Sequence, residues 1–215
     1  MFIPLKSEAP AKRFPITILL IIFLNIYIYY RELSLDPRAI IAYGVTPYEI
    51  WHNIDRPPFI SSHVYLTLIT SLFLHAGVLH LLSNSFYLWI FGSSIEDRMG
   101  HFRFIFFYLI CGVAAGFAHV LLNHESTIPI IGASGAISGV LGSYFIIFPK
   151  ARIKTLIFIR LFRIPAVIFL SLWVILQFLN GLCTPPEEAN IAWWAHLGGF
   201  VAGFIFIRLY NIKRG

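Results

Sequence analysis

The chain has 215 residues, of which 58% are apolar, 17% aromatic and only 12% charged, and its formal net charge is +6. A soluble domain carries about 25% charged residues, so this composition excludes an ordinary water-solvated globule and points to one domain solvated by lipid. Two cysteines, Cys111 and Cys183, exclude a disulfide framework, and their expected positions at different depths argue against a bridge between them.

In chain order, long apolar stretches of near-helical length predict six spans, at about 14–30, 77–92, 102–122, 130–148, 164–182 and 191–210. The first follows Lys12 and Arg13. It exceeds the roughly 7–15 residues of a signal-peptide core and no small-residue cleavage site follows it, so a retained span is predicted. A long outer loop, 31–76, separates it from the second. Pro57-Pro58, Pro129, Pro149, Pro165 and Pro185-Pro186 fall in loops or near span ends. The predicted fold is all-α, a polytopic six-transmembrane-helix bundle forming a single domain over 1–215.

Thirteen of the 16 lysines and arginines fall in alternate segments. These are the N-terminus (Lys6, Lys12, Arg13), the stretch after span two (Arg98, Arg103), the stretch after span four (Lys150 to Arg163) and the C-terminal end (Arg208, Lys213, Arg214). Basic residues concentrate in cytoplasmic loops, which predicts that both termini are cytoplasmic. The positive charge is thus a topology signal, and nucleic acid is not needed to explain it. Spans two, four and six then run from outside to inside, with their N-terminal ends at one outer level.

Polar residues inside a span are costly and are functional candidates by default. His80 and Asn84 in span two, Ser134 in span four and His196 in span six all lie near the outer ends of these spans. At about 1.5 Å rise per residue they share one shallow depth. His80 and Asn84 are four apart, on one helix face. In span four, Ser134, Gly135, Ser138, Gly139 and Gly142 form a stripe of small residues; in span six, His196, Gly199 and Gly203 form another. Such stripes let helices approach closely in lipid, and packing the two together brings Ser134 to His196. Taken singly, each element reads as ordinary helix packing; their coincidence at one depth points to chemistry. His75 either lines this site or makes a loop contact. His119 and His124 fit an interfacial position, as do Trp51, Trp193 and Trp194, and His52, His63 and His101 carry no signal.

A serine becomes nucleophilic with a base in hydrogen-bond reach and needs donors for the developing oxyanion. His196 can be the base; His80, Asn84 and the Ser134 backbone N–H can be the donors, helped by the partial positive charge of a helix N-terminus. No carboxylate falls in a predicted span, so the pair reads as a Ser–His dyad with its imidazole held by packing. A His-Glu-x-x-His zinc motif is absent, Asp36, Asp55 and Asp97 fall in loops, and Cys111 has no nearby histidine. Serine chemistry without a metal or cofactor remains.

At these residues the chain resembles the rhomboid family of intramembrane serine proteases, in its compact six-span prokaryotic type. The resemblance rests on His80-x-x-x-Asn84, Glu96-x-Arg98, Gly132-Ala133-Ser134-Gly135 and Ala195-His196-x-x-Gly199-x-x-x-Gly203. It implies Ser134 as nucleophile, His196 as base, His80 and Asn84 as oxyanion stabilisers, and Glu96 and Arg98 as structural braces of the cytoplasmic end. It further implies an outer loop packed partly into the outer leaflet, and a gate and cap from span five and the loop near 183–190. The implied substrates are single-span membrane proteins cut near the outer surface at small residues in a locally unwound helix. The implied location is a multi-pass position in a bacterial inner membrane. Two features depart from the pattern: the first loop holds no Trp-Arg pair, and Ser138 stands where some members stack an aromatic residue on the histidine. The rival readings are a rhomboid-like pseudoprotease that binds membrane proteins without cutting, and a small transporter with a His/Asn relay, against which the lack of spanning carboxylates argues.

Overall fold

The protein is described by a computed structural model over residues 2–34, 42–55, 63–185 and 191–210. The expected joints at Pro57-Pro58 and Pro186, most of the expected cap near 183–190, and Arg38, Arg56, Lys213 and Arg214 lie outside the described residues. The chain opens with strand β1 (Phe2–Ser7) and helix α1 (Ile16–Glu32), followed by the short α2 (Pro47–His52). A helical stretch α3 (Val64–Phe73) meets α4 (Val78–Met99) at 82°. Next come α5 (His101–Leu122), α6 (Ser134–Ile147), strands β2 (Arg152–Ile157) and β3 (Arg160–Pro165), α7 (Ala166–Cys183) and α8 (Trp193–Leu209).

Each of the six predicted apolar stretches thus contains a helix. Two of these, α5 and α7, are individually long and apolar enough to cross a bilayer, whereas α6 and α8 are shorter apolar helices. Helix α4 overruns its predicted end at 92 and continues through a π-helical turn (Leu88–Gly92) to Met99, so Glu96 and Arg98 sit in its last turn rather than in a loop. The sharp turn into α5 is made at Gly100, whose φ of 80° favours glycine. Helix α6 starts at Ser134, four residues later than predicted, because Gly132, with a φ of 122°, still belongs to the turn before it.

Helix α6 is the axis of the molecule. Twelve of its 14 residues are buried, as an apolar-all-round helix requires. Its small residues set how closely its neighbours approach. A Cβ on Gly199 of α8 would fall on the Gly135 carbonyl oxygen, and one on Gly203 would fall on that of Gly139. On the other side, a Cβ on Gly135 would lie 2.7 Å from the Ala115 Cβ of α5. The Ser143 hydroxyl donates to the Gly203 carbonyl oxygen at 3.0 Å, adding a polar tie to the α6–α8 contact. By contrast α7 is poorly buried, with Ile168, Leu172, Ile175 and Leu179 turned outward, a surface that suits lipid rather than water.

The all-α expectation needs correction. Strands β1, β2 and β3 form a three-stranded antiparallel sheet in that order, pairing Phe2 with Ile157 and Ile157 with Arg160. The segment Arg152-Ile-Lys-Thr-Leu-Ile alternates polar and apolar residues at first, a period-2 signal hidden within what reads as a basic loop.

Candidate active site

Ser134 is the first residue of α6 and His196 lies in the first turn of α8. The glycine contacts hold these helix starts together, and His196 Nε2 stands 2.8 Å from Ser134 Oγ. The opposite ring nitrogen, Nδ1, is 2.7 Å from Gln177 Oε1 on α7. An amide oxygen only accepts, so this contact puts the imidazole proton on Nδ1 and leaves the Nε2 lone pair to accept from the serine hydroxyl. The expectation of an imidazole held by packing alone is therefore incomplete, since a neutral amide orients it. Two rings also flank His196, Trp173 at 6.0 Å and Trp193 at 6.3 Å between centroids. Trp173 and Gln177 are four apart on α7, so one helix face supplies both.

His80 and Asn84 converge on the turn before the serine. A Cβ on Gly132 would lie 2.7 Å from His80 Nε2 and 3.8 Å from Asn84 Nδ2. The Ala76 N–H donates to His80 Nδ1 at 3.4 Å, which leaves the proton of the neutral ring on Nε2, facing that turn. Asn84 is buried, and its Nδ2 has no hydrogen-bond partner among the described residues. A buried donor without an acceptor is costly unless a bound group satisfies it. Between these residues lies a cavity of about 500 Å³, lined by His80, Asn84, Ser134, Ser138, Trp173 and His196 together with apolar side chains. No group of three or more His, Cys, Asp or Glu side chains placed to hold a metal occurs among the described residues.

The family model for the Rhomboid domain matches residues 62–212, a stretch that contains every residue of this site. The chain belongs to the rhomboid family. It is similar to RHOMBOID-like protein 1 of Arabidopsis thaliana, with 30% identity over 160 residues, 74% of this chain and 38% of the relative. It is 31% identical over 137 residues to rhomboid protease GluP of Bacillus subtilis, covering 64% of this chain and 24% of the relative. With Rhomboid protein 1, mitochondrial, of Saccharomyces cerevisiae it shares 30% identity over 150 residues, 66% of this chain and 40% of the relative. The chain spans less than half the length of these three relatives. Membership and the apolar helices make it an integral membrane protein.

The motif residues Glu96 and Arg98 of this rhomboid lie at the other end of α4 from His80 and Asn84. Glu96 is buried, and its two carboxylate oxygens accept the Thr17 and Ile18 backbone N–H groups at 2.8 and 3.1 Å. It therefore caps the N-terminus of α1 from another helix, satisfying donors that α1 leaves free, and His101 Nδ1 also bonds it. Arg98 is exposed, with its guanidinium 5.3 Å from the centre of the Phe148 ring. Ser138 donates to the Ser134 carbonyl oxygen at 2.7 Å, so at that position a hydroxyl steadies the first turn of α6. His75 does not border the cavity; its backbone N–H bonds the Glu32 carboxylate at the end of α1 at 3.3 Å, and its buried ring backs the His80 ring edge-on at 5.2 Å. His119 is buried among protein elements, and its Nδ1 finds no partner among the described residues.

Gln177 belongs to none of the sequence motifs. It is a polar residue well inside span five, and the rule that selects His80 and Asn84 also selects it. If it orients the imidazole, Gln177→Leu is expected to lower kcat by about 10–100-fold with little change in KM, measured on a membrane substrate in detergent.

Proposed function

We propose that this rhomboid is an intramembrane serine endopeptidase that cuts transmembrane segments of other membrane proteins with the Ser134–His196 dyad. The observation that carries the reading is the hydrogen-bonded series Gln177–His196–Ser134 opening on a cavity that also holds His80 and Asn84. Ser134 Oγ attacks the scissile carbonyl carbon as His196 Nε2 takes its proton. The oxyanion accepts from His80 Nε2, Asn84 Nδ2 and the Ser134 backbone N–H, the last at the start of α6. The protonated His196 then gives its proton to the leaving amine as the C–N bond breaks. Water, activated by the same nitrogen, hydrolyses the acyl-enzyme.

In this reading the six apolar helices span the bilayer with both termini cytoplasmic, in a bacterial inner membrane. The site lies near the outer surface, α7 is the gate, and substrates are single-span proteins whose helix unwinds locally at small residues. The weak burial of α7, which nonetheless supplies Trp173 and Gln177 to the site, supports it as the movable wall.

Purified full-length protein in detergent is expected to react with a fluorophosphonate serine probe, and Ser134→Ala to lose the label. Labelling that persists in Ser134→Ala overturns the nucleophile assignment, and failure of the unaltered protein to label favours the non-cutting reading. Asn84→Ala, which removes one oxyanion donor, is expected to lower kcat by about 10²–10³-fold with intact folding, read by single-turnover cleavage.

A further inference from the structure

The hairpin of β2 and β3 has a turn that a water-facing protein does not ordinarily build. Its two turn residues are Phe158 and Ile159, 84% and 92% exposed. Phe158 adopts a φ of 52°, a left-handed conformation that favours glycine and asparagine and that a bulky side chain enters at a cost. Leu161 beside them is 68% exposed. Burial by the protein cannot explain this choice of residues. Around the tip the charge is of one sign, since the stretch 150–165 holds five basic residues and no acidic one. Arg163 has one acidic neighbour from outside the hairpin, Glu8 at 3.7 Å.

The base of the hairpin, in contrast, is locked to the helix bundle. Ile153 and Thr155 are fully buried, and Ile153 joins the main core. The Ala166 N–H donates to the Ala151 carbonyl oxygen at 2.8 Å, and the Val167 N–H to that of Pro149 at 3.0 Å. The strands therefore start against the C-terminal end of α6 and the N-terminal end of α7, and they carry an apolar tip and a basic collar. Apolar side chains flanked by arginines and lysines match the chemistry of an anionic lipid surface, with the rings and aliphatics among the acyl ends and the cations at the phosphates.

We propose that this hairpin is an interfacial anchor that binds anionic phospholipid headgroups and inserts Phe158 and Ile159 at the membrane surface, tethering the neighbouring end of α7. The proposal does not depend on the proteolytic reading, only on the protein's place in a membrane. Its test uses the full chain with a nitroxide on Ile159→Cys in a Cys183→Ser background, reconstituted in phosphatidylcholine vesicles with and without about one-third phosphatidylglycerol. The expected result is a label more accessible to oxygen than to a water-soluble nickel chelate. That preference should weaken at least about threefold when phosphatidylglycerol is omitted, and again when Arg160→Gln and Arg163→Gln are combined. A label at Leu161→Cys repeats the measurement should the first variant fold poorly. Equal access of the nickel chelate to position 159 and to a label in bulk water overturns the proposal. So does a preference indifferent to both phosphatidylglycerol and the arginines, or spin–spin broadening that places the tip against a second copy of the chain.

Discussion

His196→Ala is expected to abolish cleavage of a single-span reporter, by at least about three orders of magnitude in kcat, and Ser134→Ala to do the same. The two losses should not add, because a nucleophile and its base act as a unit: removing the base leaves a neutral hydroxyl, and removing the hydroxyl leaves the base with nothing to activate. Neither change is expected to unfold the protein. Ser134 and His196 are only half-buried and border the cavity, so truncating them deletes few packed atoms. Gel-based cleavage with purified variants, read beside their melting temperatures in the same detergent, checks both halves of the expectation. Retained cleavage in His196→Ala with an unchanged melting curve would leave the dyad untenable.

The second large effect is expected at a residue that touches no reacting atom. In Gly199→Ala the new methyl group falls on the carbonyl oxygen of Gly135, a backbone atom that cannot swing aside. The two helices must part, and overpacking of this kind costs about 1–3 kcal/mol. Parting them also lengthens the 2.8 Å contact between His196 Nε2 and Ser134 Oγ, one turn away on the same faces. A misplacement of about 1 Å at reacting groups can cost about 10²-fold in rate. Gly199→Ala is therefore expected to lower both the melting temperature and kcat, with KM changed much less. A variant with normal stability and normal kcat would show that the glycine stripe is not what sets the distance between serine and histidine.

Much of this arrangement is legible in the chain as written. An apolar stretch announces its helix because lipid solvation demands a long run of apolar residues, and all six stretches contain one. Ser134, His196, His80 and Asn84 stand out because a polar group in such a run is costly. The glycine stripes could be read with them, since the period of 3.6 residues decides which side chains share a face. The contact between those faces then follows the small residues, as Gly199 on Gly135 and Gly203 on Gly139 illustrate.

Other features depend on which elements meet, and no local pattern carries that. Gln177 reaches His196 only because α7 lies beside α8 with one particular rotation about its axis. Trp173 takes up a place against His196 for the same reason, where the family pattern looked to the residue now occupied by Ser138. Strand β1 finds β2 from far along the chain, and alternation over six residues cannot name so distant a partner. The place of His119 near a span end says nothing of the neighbouring elements that close over it. The sequence by itself determined the solvent of this protein, the residues able to do chemistry and the faces able to pack, because composition and helical period are local properties. Tertiary structure alone decided that a glutamine orients the histidine, that two tryptophans flank it and that a sheet packs on the helix bundle, because each requires the position of one packed element relative to another.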